Sequence, residues 1–461
     1  MSSKSFPAGV CVNDDFFSGR SHVERLVMPE RKPRQISVPL QQLDKCQVCG
    51  ATERLRVCNS CASAIYCSAA CQKEAWKGHK KSCAQSHQIN LKHFYPFIAF
   101  LFDYLRRVTN PKDFYHPAHS RKILDSPIPK VRKASRSSQV LKHTVVLGDD
   151  HKGMDTPLGL VQWNQHDVKF IDIFKIYYQT LREITIPEMT TAICMTLLAE
   201  VYSSDYADLV DTKTGPKPCF RLEYGQSPIS DFGICKGRIQ SRRNCVQVWS
   251  YYDPKNDARH TLTDPNNHYW IYFKTIRGDL ITLDCCSYSF GMESFVDAGP
   301  YIAKLPSYVR AVESTRIPAF FHTSQDEHRR PYSLIEEKRI SVMHNKRLHS
   351  ALSTRTPHTE SPVQTEIIRG FFEEVIGRKC TDKEANKVRS YRLHSTAAMN
   401  EVLSGGYWRD WDKPTVYREG LLKGGPNGWS DLQTLFKDSS SVQAHYEWLD
   451  EVFPPKKSVR R

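Results

Sequence analysis

Seven of the chain's 15 cysteines fall between Cys46 and Cys83. With one histidine they run C-x2-C-x8-C-x2-C-x5-C-x3-C-x7-H-x3-C, through Cys46, Cys49, Cys58, Cys61, Cys67, Cys71, His79 and Cys83. Thiolate sulfur and imidazole nitrogen are the ligands of tetrahedral zinc. A C-x2-C pair on a tight turn brings two thiolates to one ion. Cys67/Cys71 and His79/Cys83 are four apart, which sets each pair on one face of a short helix. Eight donors complete two four-coordinate sites and leave no open position for water or substrate, so the expected role of the metal is structural. A segment this short buries too little apolar surface to fold on its own core, and zinc is expected to supply the missing free energy.

The stretch Tyr66-Cys67-Ser68-Ala69-Ala70-Cys71-Gln72, followed by Trp76, His79, Lys80 and Cys83, resembles a MYND-type zinc finger. The resemblance is confined to residues 46–83. It implies a cross-brace, with Cys46, Cys49, Cys67 and Cys71 on a first zinc and Cys58, Cys61, His79 and Cys83 on a second; spacing alone leaves that pairing open. It also implies a protein-interaction module for short proline-containing peptides, with Ser68, Gln72 and Trp76 at the positions matching the family's peptide groove. Where family members often carry Asp just before the Trp, this chain has Ala75. Read from the residues alone, Trp76 has two roles open to it: an aromatic anchor for a peptide, or the finger's largest apolar side chain packed over the metal sites.

The residues leave three other chemistries open. Lysine methyltransferases of the SET class also carry MYND fingers, but their Asn-His-Ser-Cys signature is absent; the nearest match is Asn267-His268-Tyr269-Trp270. Cys194, His268 and Asp284 stand in the chain order of a transglutaminase-like thiol enzyme, or of a degenerate relic of one, with His as base and Asp as its orienter. Against it, Cys194 sits about two turns into its expected helix, where the helix dipole does not acidify it. A nucleic-acid role would rest on the basic stretch 112–143 and the basic tail. The reading preferred is a non-enzymatic adaptor.

The rest of the sequence must position these groups. At 461 residues, with 40% apolar and 25% charged residues, the composition is that of a globular protein. Lys and Arg exceed Asp and Glu by 15. Seven zinc-bound thiolates against two divalent ions take three charges from that surplus and leave the finger near neutral, so the basic excess lies elsewhere. Residues 1–12 hold Lys4, Pro7 and Gly9 and no apolar core of the length export needs. The expected compartment is therefore reducing and intracellular, nucleus or cytoplasm, without a membrane span.

The fold class expected is α+β: a small two-zinc finger, then a mixed α/β domain and a helical C-terminal region. The divisions are a polar, mostly disordered tail over 1–45, the finger over 46–83, an aromatic helix and basic linker over 84–143, an α+β domain over 144–335, and a helical region with a basic tail over 336–461. Within these, Leu91–Arg107 reads as a helix broken or kinked at Pro96 that covers the finger. Pro187 reads as a helix N1 residue. Tyr269–Phe273 and Leu280–Leu283 read as a hairpin. Residues 336–364 read as loop. Thr381-Asp382-Lys383-Glu384 is a capping box for a long helix ended at Gly405-Gly406.

Overall fold

The computed structural model describes residues 34–83, 86–108, 116–119, 121–125, 140–150, 176, 179–205, 219–241, 246–292, 294–306, 309, 316–323, 332–353 and 360–418. Residues 168–183 and 439–453, which the sequence pattern marks as helices, residues 158–163, which it marks as a strand, and much of the basic stretch lie wholly or largely outside these residues.

Residues 32–420 form one compact unit. Its body is a seven-stranded sheet: β1 (Ser86–Asn90), β2 (Cys219–Tyr224), β3 (Ser227–Ser241), β4 (His268–Thr275), β5 (Leu280–Asp284), β6 (Phe320–Thr323) and β7 (Tyr332–Ser341). The order is β6-β5-β4-β3-β2-β1, with β7 paired to β3. Only β1 and β2 run parallel; the expected β4–β5 hairpin is present, Ile271 facing Leu283. Strand β4 alternates across two apolar layers. Tyr269, Ile271 and Phe273 enter the main core, while His268, Trp270 and Tyr272 point to the other face.

Five helices matter here: α1 (Ala69–Ser82), α2 (Leu91–Val108), α3 (Ile186–Thr196), α4 (Pro362–Ile376) and α5 (Asp382–Ser404). Helix α2 runs unbroken through Pro96. Sequence reasoning placed it over the finger; instead Phe94, Phe97, Ile98, Phe100 and Leu101 are wholly buried, so α2 is the centre of the main core. Burial on all sides compensates the missing proline N–H bond. Helix α3 starts at Ile186-Pro187 as expected and continues through a π-helical turn, Leu197–Val201. Helix α5 begins with the reciprocal Thr381/Glu384 capping box. The same device, Ser361/Gln364 with Pro362 in the first turn, starts α4 inside the stretch read as loop.

Two segments read as loop or tail are strands. Arg34–Ile36 pairs with Ser203–Asp205, and Arg34 is buried against Glu200 at 2.6 Å. Strand β7 runs through residues read as loop, and Lys346–Ala351 is a helix. Part of the expected linker, Arg121–Asp125, joins Val140–Asp150 in a separate four-stranded sheet. No described helix is long and apolar enough to cross a membrane.

Candidate metal centre

The finger is built from two turns, a short hairpin and α1. Each turn closes on a left-handed residue four places after its first cysteine: Gly50 at φ +72° after Cys46, and Ala62 at φ +55° after Cys58. Glycine takes that conformation freely; alanine is held there by Ala62 N–H donating to Cys58 O at 2.8 Å. The hairpin Arg56–Val57/Ile65–Tyr66 then returns the chain to Cys67.

Helix α1 starts at Ser68, whose hydroxyl accepts from Cys71 N–H at 3.2 Å. This N-cap fixes Cys67 and Cys71 on either side of the first turn. Cys71, Ala75 and His79 are partly buried on one face, and Cys83 caps the C-terminus. One helix thus contributes to both clusters.

The clusters are Cys46, Cys49, Cys67, Cys71 and Cys58, Cys61, His79, Cys83, with the ligand atoms of each set all within 4.8 Å of one another. This is the interleaved pairing that the resemblance implied. A tetrahedron with Zn–S of about 2.3 Å has S···S edges of about 3.8 Å, and S···N edges slightly shorter. The structure has Cys49–Cys67 at 3.4 Å, Cys67–Cys71 at 3.6 Å and Cys58–Cys83 at 3.8 Å between sulfurs, with Cys61 Sγ 3.6 Å from His79 Nε2. Both donor sets fit a zinc ion.

Electrostatics points the same way. The backbone N–H of Cys49 chiefly pulls the Cys46 thiol down to about 6. The side chains of Cys49 and then Cys71 push Cys67 up to about 12, and burial with the neighbouring Cys61 thiolate pushes Cys83 to about 12. So many thiols this close do not all ionise by themselves; a divalent cation between them is what permits it.

The outer face of α1 carries Ser68, Gln72 and Trp76, all exposed. Trp76 is 41% exposed, its ring 6.0 Å from that of His79. One edge of its ring meets His79 of the second cluster and the rest faces solvent.

The thiol-enzyme residues divide. His268 Nε2 lies 2.9 Å from Asp284 Oδ2, both side chains fully enclosed. Cys194 belongs to the main core with Ile271 and Phe273, the opposite face of β4 from His268. Burial alone pushes its thiol well above the usual range. A nucleophile must reach its base, and these two are separated by the sheet.

Sequence reasoning missed two polar clusters. Arg221, on β2, reaches the finger; nothing in a lone strand arginine announces it. Glu183, fully enclosed, accepts from Tyr251 Oη at 2.9 Å and Gln179 Nε2 at 2.7 Å, with His116 Nε2 at 3.4 Å. Burial chiefly raises Glu183 to about 8 and lowers His116 to about 3, so near neutral pH both are uncharged.

A family model described as MYND finger matches residues 46–83. No curated protein and no solved structure matches the chain.

Proposed function

We propose that this chain is an intracellular adaptor, in nucleus or cytoplasm, whose finger binds short proline-containing peptides of other proteins on the outer face of α1. The support is one observation. Trp76 stands 41% exposed on a helix whose opposite face is braced at both ends by metal clusters. A large aromatic held rigidly at a surface loses little entropy on binding and presents a flat apolar face for a proline ring. Gln72 and Ser68, one and two turns before it, supply polar contacts, although Ser68 is already engaged as the N-cap.

The eight ligands Cys46, Cys49, Cys58, Cys61, Cys67, Cys71, His79 and Cys83 serve this role by fixing α1. The two zinc ions are structural, and the reaction-competent open position of a catalytic site has no counterpart in either set. No step of catalysis is assigned to the chain, and the basic stretch is read as solvated linker rather than a nucleic-acid surface.

The test uses the full zinc-loaded chain. Native mass spectrometry is expected to count two zinc ions, and a proline-containing peptide panel is expected to yield ligands whose binding is lost in Trp76→Ala. A panel that binds wild type and Trp76→Ala equally overturns the peptide reading. A zinc count of zero overturns the metal reading beneath it.

A further inference from the structure

The two metal clusters differ in what surrounds them. Cys49 is exposed and Cys67 and Cys71 are partly so; this first set is all thiolate, and with zinc it carries two negative charges. The second set has one neutral imidazole and carries one. It is also the set by which the finger meets the body. Ser60 O accepts from Ser86 Oγ at 2.7 Å and from Ser86 N–H at 3.0 Å. Asn59 O accepts from Gln88 Nε2 at 2.9 Å and from Arg221 Nη2. Asn59 and Ser60 are the two residues between Cys58 and Cys61, so edge strand β1 and its neighbour β2 grip the second knuckle by its backbone.

Arg221 is the unusual member. It is only 3% exposed, and its Nε and Nη1 find no hydrogen-bond partner among the described residues. A buried cation with two unspent N–H donors, bonded to the carbonyl of Asn59 between the ligands Cys58 and Cys61, has an evident use. Zinc-bound thiolates keep lone pairs that accept such donors, and one positive charge balances the second site's single negative one.

We propose that the two zinc ions are unequal in lability, the Cys58–Cys61–His79–Cys83 site being locked by Arg221 and the body strands, and the Cys46–Cys49–Cys67–Cys71 site being the one that exchanges metal. The first site holds the N-terminal turn of α1, through Cys67 and Cys71 around the Ser68 cap. Its loss unpins that turn while the C-terminal half of α1 stays anchored. The peptide face starts at Ser68, so its binding becomes sensitive to zinc supply and to thiol-reactive agents. This last consequence, and it alone, rests on the adaptor reading.

The experiment follows zinc leaving the loaded full-length chain into a chromogenic chelator, with pulses of iodoacetamide and mass mapping of alkylated cysteines. Two phases of one zinc each are expected, with Cys49, Cys67 and Cys71 labelled in the first and Cys58, Cys61 and Cys83 in the second. Arg221→Met is expected to speed the second phase about ten-fold or more, as loss of an outer-shell partner does, and to leave the first unchanged. Arg221→Lys, which keeps charge but not the forked donors, falls between. Gln88→Ala, which removes a docking bond without touching charge, carries the test if Arg221→Met does not fold; it is expected to speed only the second phase. A single phase, labelling of the second set first, or variants that leave the second phase unaltered overturns the proposal. Phases as expected with peptide binding that survives loss of the first zinc overturn the zinc sensitivity alone; phases as expected with no Trp76-dependent peptide binding at all overturn the adaptor reading and leave the lability standing.

Discussion

Asp284 receives His268 on one carboxylate oxygen, at 2.9 Å, and two backbone N–H groups, Cys286 and Ser287, on the other at 2.9 and 3.0 Å. Tyr332 Oη adds a donor at 3.1 Å. The carboxylate ends β5, fastens the turn Ser287–Phe290 and ties β4 to β7. A pair that looks like half a catalytic triad in sequence is thereby a buried clamp.

Asp284→Asn keeps the shape and removes one of the two acceptor oxygens of an enclosed group. It is expected to cost roughly 2–3 kcal/mol, read by urea unfolding. Cys194 is expected to stay inert to iodoacetamide at neutral pH in the folded chain, because burial holds it as the thiol. Selective alkylation of Cys194 would show that it is not held buried as the thiol.

Glu183 gives a pH dependence with a definite sign. Its folded value, about 8, lies above its ordinary 4.5, so the folded state holds a proton the unfolded state has released between those values. Its contribution to stability is complete below pH 4.5 and is lost as pH rises toward 8. Glu183→Gln removes that slope. The variant is expected to gain on wild type steadily from pH 5 to 8.5 in thermal melts, by on the order of 1 kcal/mol or more at the alkaline end. Parallel pH profiles would show that Glu183 is not protonated when folded.

Trp76→Ala is expected to leave unfolding free energy within about 0.5 kcal/mol, as exposed substitutions do. Peptide affinity is expected to fall by about 2 kcal/mol, near thirty-fold. Titration calorimetry and a melt of the same sample separate the two effects. A large stability loss with unaltered affinity would make Trp76 a lid over the second cluster.

Gly237→Ala is expected to destabilise by about 3 kcal/mol or more. A Cβ there would stand 2.0 Å from the backbone oxygen of Ile335 on β7, beside the register shift at Glu336/Lys338. Backbone gives way less readily than a side chain. Since Gly237 also faces His268 across β3–β4, amide exchange of β4 is expected to quicken with it.

How much of this was legible depends on whether local spacing decides the outcome. The ligand set, the α5 capping box and the β4–β5 hairpin are written in residues within a few places of one another. The interleaved zinc pairing came with the resemblance, because spacing permits other pairings. Strands Arg34–Ile36 and Arg121–Asp125 were invisible for the opposite reason: both look polar and gain their order from partners far along the chain. Pro96 misled, since its local cost is outweighed by the burial of a whole helix. Arg221 left no mark, because only the pairing of β1 with β2 brings it to the finger.

That parallel pairing, Ser86–Asn90 beside Cys219–Tyr224, also sets an order of events in synthesis. All eight metal ligands leave the ribosome well before β2 exists, with a long loop still to be closed. The ligands are thus complete before Arg221 exists, and zinc that binds the nascent chain meets the second site without that residue. If the two sites differ in lability as proposed, zinc scarcity during translation acts on both before Arg221 is in place, and scarcity afterwards acts first on the Cys46–Cys49–Cys67–Cys71 site.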